Sequence, residues 1–233
     1  MGRLIDGILY LIVILFSLSV HECMHAYVAY RFGDPTGKLM GRISLNPINH
    51  ISLVGTILFP LILIILRLPV FGWANPVPVN PTYLRHPKKD MMWISLAGPL
   101  SNIGLALIFF FILIFLTLFY KWVPIFIIAH ISEESSSAGM LYLPIKGLSL
   151  FLYYGIVVNL LLAFFNLLPV PPLDGSNVLY RFLPYPLSAK YRMLQPYGFF
   201  ILLLLLYLGV INFLFKIFLV PVQEFMLKFL LEL

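Results

Sequence analysis

The chain has 233 residues, of which 61% are hydrophobic and only 10% charged, and its mean hydropathy is +1.01. A soluble globule carries roughly a quarter charged residues, so this composition excludes one and indicates an integral membrane protein. The net charge of +6 then bears on topology and anionic lipid; no aromatic-basic pattern of an RNA-binding module is present, and nucleic acid is not an expected partner.

Taken in order, residues 4–30 read as a first membrane span, with no charge from residue 8 to 20 and no A-x-A-like cleavage site. Arg31, Gly33 and Pro35 end it. Residues 36–50 are turn-rich and partly β-branched and suit a small extended or hairpin segment near the interface. Residues 51–66 are apolar but interrupted by Gly55 and Pro60, and residues 67–90 form a proline-rich loop. Residues 91–120 make a second long span. After a short apolar piece at 122–131 comes a serine-rich loop with Glu133 and Glu134, and then a span at 148–168. Prolines at 169, 171, 172, 184 and 186 make 169–195 a loop. Residues 197–218 form the last convincing span, and the tail to Leu233 suits an interfacial helix. The expectation is an all-α polytopic membrane protein with about four to six transmembrane helices and a membrane-re-entrant segment at 51–70.

Within the first span lies His21-Glu22-Cys23-Met24-His25, an H-E-x-x-H. Residues four apart share a helix face, so His21 and His25 can bind one metal together, with Glu22 placed to take a proton from an attacking water. The alternative is a chance match with two structural histidines, which the expense of three ionisable residues at membrane depth makes rarer. Catalytic zinc keeps three protein ligands and an open position, so a third ligand is expected on another helix. The best candidate is Asp174, in Pro169-Val170-Pro171-Pro172-Leu173-Asp174-Gly175, the only acidic residue between Glu134 and Glu224. An ordinary Asp-Gly turn in a surface loop is the competing reading.

His21-Glu22-x-x-His25, then Ala97-Gly98-Pro99-Leu100-Ser101-Asn102, then Asn166-x-x-Pro169-x-Pro171-x-Leu173-Asp174-Gly175 together resemble the site-two protease family of intramembrane zinc metalloproteases. Gly41-Arg42 through Asn46-Pro47 to His50, and residues 72–81, resemble its compact prokaryotic branch, without PDZ or CBS domains. The resemblance covers roughly residues 8 to 215. It implies one Zn2+ per chain on His21, His25 and Asp174, with Glu22 as catalytic base, in a single integral-membrane domain spanning 1–233. It also implies transmembrane proteins of the bilayer as substrates, hydrolysed within or near their membrane segments. Ser176 departs from the second glycine that many relatives carry after Asp-Gly.

Among other polar residues, Asn102 suits either the substrate backbone and oxyanion or close helix packing with Gly98 and Ser101. Asn159 suits packing, while Asn166 suits steadying the proline turn or touching substrate. His50 suits an interfacial position or a place behind the site. Two other classes fit less well: a scaffold or chaperone for transmembrane helices has no need of Glu22, and a metal transporter calls for more than one ligand cluster.

Topology supplies an independent expectation. If 51–68 crossed the membrane, Asp174 would emerge opposite His21 and His25, and Lys and Arg would divide 8 against 7. If that segment folds back, the ligands converge and the division becomes 10 against 5, a positive-inside bias. This places the chain in the cytoplasmic (inner) membrane as a multi-pass protein, its site nearer the cytoplasmic face.

Overall fold

The computed structural model describes residues 2–59, 62, 65, 74–132 and 143–233. Among the described residues there are nine α-helices and no strand. They are α1 (Gly2–Arg31), α2 (Thr36–Leu39), α3 (Pro87–Phe119), α4 (Val123–Ile131), α5 (Leu143–Leu167), α6 (Asp174–Phe182), α7 (Leu187–Arg192), α8 (Gly198–Tyr207) and α9 (Val210–Glu232). Four of them, α1, α3, α5 and α9, are long and apolar enough to cross a membrane. In hydrocarbon every backbone N–H and C=O must be satisfied within the chain, which is why these runs adopt helix throughout.

Three of the long helices form the frame for the polar residues. His21 of α1 meets Asn102 of α3, and His25 meets Ile94, so α1 and α3 are antiparallel. Asn102 meets Asn159 of α5 while the Phe109 ring packs on Phe151, so α3 and α5 are antiparallel too. Helices α1 and α5 therefore run in the same direction. At the end away from the histidines, Phe109 and Leu113 of α3, Ile127 of α4, Ile156 of α5 and Leu230 of α9 form the main apolar cluster. Lipid is as apolar as these side chains, so their association is set by packing shape. Gly155 shows this: a Cβ there would lie 2.4 Å from the Phe109 ring.

The connection from α1 to α3 begins and ends at one end of the bundle. Just past α1, Asp34 is fully buried; one carboxylate oxygen accepts from Thr36 N (3.0 Å) and the other from Asn80 N (2.7 Å). Further along, His50 O accepts from Asn75 N at 2.8 Å, so the chain leaves at 50 and is back beside the same point at 75. Ser52 caps a short π-helix at Leu53–Leu58, its hydroxyl accepting from Gly55 N. The rest of the segment expected to be re-entrant, residues 60–73 apart from 62 and 65, lies outside the described residues, as does the serine-rich loop at 133–142.

Three sequence expectations are corrected. Residues 36–50 hold α2 and a 3-10 turn at Pro47–Asn49, not a hairpin. Short polar side chains win locally: Asp34 and Asn46 each accept from a backbone N–H two residues on. Residues 169–195 are not loop throughout but contain α6 and α7, because the prolines bracket these helices without entering them. The expected span at 197–218 is broken at Gly209, whose φ of +73° is left-handed; the spanning-length helix is α9, which absorbs the tail.

Candidate metal centre

His21 and His25 lie on the face of α1 turned towards α3, and both are buried. Each ring is held at its Nδ1. His25 Nδ1 faces Ile94 O at 2.7 Å, and a carbonyl can only accept, so this nitrogen carries the proton. His21 Nδ1 faces Asn102 Oδ1 at 2.6 Å. The Asn102 amide nitrogen donates to Asn159 Oδ1 (2.7 Å) and Ser17 O (3.3 Å), so the oxygen is left to accept from His21. The Asn159 amide in turn donates to Ser17 Oγ at 2.9 Å and Gly155 O at 2.8 Å. With both protons on Nδ1, both Nε2 atoms present lone pairs to the interior, where they are 3.0 Å apart.

Asp174 completes the group from the far side of the fold. The chain leaves α5 at Leu167, turns through the prolines, and restarts as α6 at Asp174. Gly175 is needed for that turn, since a Cβ would sit 2.2 Å from Leu167 O. Two bonds tie α6 and its end to α3: Asn177 Nδ2 donates to Ser95 Oγ at 2.9 Å, and Lys88 Nζ to Leu183 O at 3.0 Å. The Asp174 carboxylate sits in the first turn of α6, the favourable end of the helix dipole for an anion.

Asp174 Oδ2 lies 3.2 Å from both Nε2 atoms. It is buried and has no hydrogen-bond partner. Three electron-rich atoms thus converge with no proton between them, and an orphaned buried oxygen of this kind costs about 1–3 kcal/mol or more. A cation reverses that cost. Tetrahedral ligands at zinc distances of about 2.0–2.1 Å stand roughly 3.3 Å apart, so separations of 3.0–3.2 Å fit a His2Asp zinc set. Space for it depends on Gly98: a Cβ there would fall 2.4 Å from His25 Nε2 and 2.6 Å from His21 Nε2.

Glu22 is next to His21 but faces the extended stretch after residue 74, and its Oε2 accepts from Val77 N at 3.2 Å. Asn102 is fully buried behind His21, with both amide hydrogens and its oxygen engaged there. Asn166 is not brought into this group; its amide donates one turn back to Leu162 O. His50 is buried just after the 3-10 turn at Pro47–Asn49, its Nε2 facing Ser44 O at 2.8 Å. Sequence reasoning missed the roles of Ser17 and Ser95, which no spacing rule links to His21 or Asp174.

A bundle of membrane-length helices holding an H-E-x-x-H against a distant aspartate defines a membrane metallopeptidase. The sequence comparisons agree. Residues 9–206 match the profile of Peptidase family M50. Putative zinc metalloprotease YwhC of Bacillus subtilis is 39% identical over 83% of this chain and 78% of its own length. Putative zinc metalloprotease Rip2 of Mycolicibacterium smegmatis is 29% identical over 85% of this chain and 66% of its own. No solved structure matches the chain. The chain belongs to peptidase family M50.

Proposed function

We propose that the protein is an intramembrane zinc endopeptidase that hydrolyses peptide bonds in or near transmembrane segments of other membrane proteins. The observation carrying this is the convergence of His21 Nε2 and His25 Nε2 on Asp174 Oδ2, a buried oxygen with no hydrogen-bond partner. Depth supports the intramembrane part. His21 lies ten residues before Arg31 at the end of α1, which at 1.5 Å per residue puts it about 15 Å in from the basic end. The positive-inside bias makes that end cytoplasmic. Residues of the site and its supports run from Ser17 to Asn177, which supports reading the chain as a single domain.

In this reading His21, His25 and Asp174 hold the zinc, and Glu22 is the general base. A zinc ion there supplies Lewis acidity that polarises a substrate carbonyl and lets water attack near neutral pH. Glu22 takes the proton from the attacking water and passes it to the leaving amine. Val77 N keeps the carboxylate oriented between turns. Asn102, bonded to His21 Nδ1, holds that ring in the tautomer that leaves Nε2 free. A substrate helix must unwind locally before attack, because its own backbone hydrogen bonds shield the peptide bond.

The test is cleavage of a membrane-protein substrate in detergent by wild-type protein and Glu22→Gln. The variant keeps its zinc and loses activity by about 10²–10⁴. Zinc-independent cleavage, or full activity in Glu22→Gln, refutes the proposal.

A further inference from the structure

At the basic end of the bundle, a cleft of about 360 Å³ opens between the end of α1 and the start of α3, lined by Arg31, Arg85, His86, Lys89 and Asp90 together with Phe32 and Trp93. Arg31, Arg85 and Lys89 are exposed cations. The side chains of Arg85 and Lys89 make no hydrogen bond or ion pair among the described residues, and Arg31 donates only to Tyr27 OH, at 3.1 Å. The one carboxylate, on Asp90, is buried and accepts from His86 N at 2.8 Å, so the cleft carries three cations against one anion. A purely solvated basic face would end there.

This one continues into a second cavity. Phe32 and Trp93 also line an apolar groove of about 390 Å³ that runs between the same two helices along Met24, Val28, Ala97 and Leu100. Apart from Phe32, just past the end of α1, its lining residues lie on two helices long and apolar enough to cross a membrane. Cations at the helix ends, aromatics at the boundary and an apolar channel below reproduce, in order, the layers of one leaflet. Basic pockets between membrane helices are a recurrent way of holding anionic headgroups.

We infer that the cleft and groove together bind one anionic glycerophospholipid, its phosphate held by Arg31, Arg85 and Lys89 and an acyl chain laid in the groove. The charge selects the occupant: a zwitterionic headgroup would bring a cation into a cleft that already has an excess of three to one. The residues lining it include neither Glu22 nor any of the proposed zinc ligands. It is lined by both partners of the α1–α3 pair and reaches Ala97, next to Gly98, where an added Cβ would meet both histidines.

The experiment titrates the delipidated full chain in detergent with dioleoylphosphatidylglycerol and dioleoylphosphatidylcholine, read by native mass spectrometry. Wild type should prefer phosphatidylglycerol by about tenfold or more. The triple variant R31Q/R85Q/K89Q should lose the preference, and the charge-preserving R31K/R85K/K89R should keep it. Leu100→Trp, which fills the groove, should weaken both lipids with the preference unchanged. Equal affinity of the two lipids for wild type overturns the proposal without any variant. So does displacement of phosphatidylglycerol by inorganic phosphate, which would mean a bare anion site, or by a soluble glutamate-rich peptide, which would mean a docking site for acidic protein segments.

Discussion

Gly98→Ala adds one methyl group to the face of α3 turned towards α1, and the geometry fixes where it must go. The new Cβ would stand 2.4 Å from His25 Nε2 and 2.6 Å from both Nε2 and Cε1 of His21, against an ordinary contact of 3.4 Å or more. Something must therefore retreat by about 1 Å. If the imidazoles move, their Nε2 atoms leave positions that metal coordination tolerates only to within about 0.2 Å. If α3 moves instead, Ile94 O and Asn102 Oδ1 move with it, and these atoms hold the two Nδ1 protons. Either route loosens the proposed ligands. A misplacement of about 1 Å at a reacting centre costs roughly a hundredfold, so cleavage should fall by at least about that factor and zinc should be lost on dialysis. Gly104→Ala is the control two turns further on, where a Cβ meets nothing within 4 Å. It should keep full zinc and activity, and its melting temperature should be unchanged or slightly raised. Zinc per chain by mass spectrometry of the purified variants, beside a cleavage assay, decides the matter. Wild-type zinc content and activity in Gly98→Ala would refute the reasoning.

Asp174→Ala should purify folded but nearly free of zinc, and full metal occupancy in that variant would remove Asp174 from the ligand set. Asn102→Ala leaves His21 Nδ1 without its acceptor, so zinc affinity should fall by about 10–100-fold, with Asn102→Gln recovering little because its longer arm cannot reach both His21 and Asn159; unaltered affinity would show that the bond is incidental. For topology, single cysteines at Leu39, Thr82 and Met193 in a Cys23→Ala background should label from one face of the membrane with an impermeant thiol reagent, and one at Lys121 from the other. Labelling of Leu39 and Thr82 from opposite faces would contradict the fold-back.

What the sequence made legible follows the range over which each signal acts. The i, i+4 spacing of His21 and His25 is a property of one helix, so it needs no tertiary information. Asp174 stood out because acidic residues are scarce in this chain, and the structure brings its Oδ2 within 3.2 Å of both rings. Helix α6 was hidden by counting prolines over a whole stretch. Their positions, at 172 and before and at 184 and after, leave a clear run that starts with an aspartate and carries Arg181 in its last turn, which is a helix signature. Gly209 lies inside an apolar run, where hydropathy carries no information about φ, and Lys216, Glu224 and Lys228 dilute the mean hydropathy of α9. The links from Ser17 to Asn159 and from Ser95 to Asn177 join residues 142 and 82 apart and had no signal in a single sequence.

The polar residues inside the bundle bear on why the site is built as it is. In hydrocarbon an unmatched polar group is expensive, and no water is at hand to relieve it. Ser17, Asn102 and Asn159 come from three different helices, and their hydrogen bonds close on one another and on backbone carbonyls. That closed network passes on only one demand, the acceptor that fixes His21 Nδ1. Ile94 O makes the same demand of His25. Both rings are thereby oriented by groups that are already satisfied, and the imbalance of the whole arrangement is pushed to one point, where two nitrogen lone pairs and the orphan oxygen of Asp174 meet. A core stabilised by apolar packing alone would not concentrate unpaired electron density in this way. The helices are arranged to leave a cation as the best remaining partner, and the glycine at 98 leaves it the room.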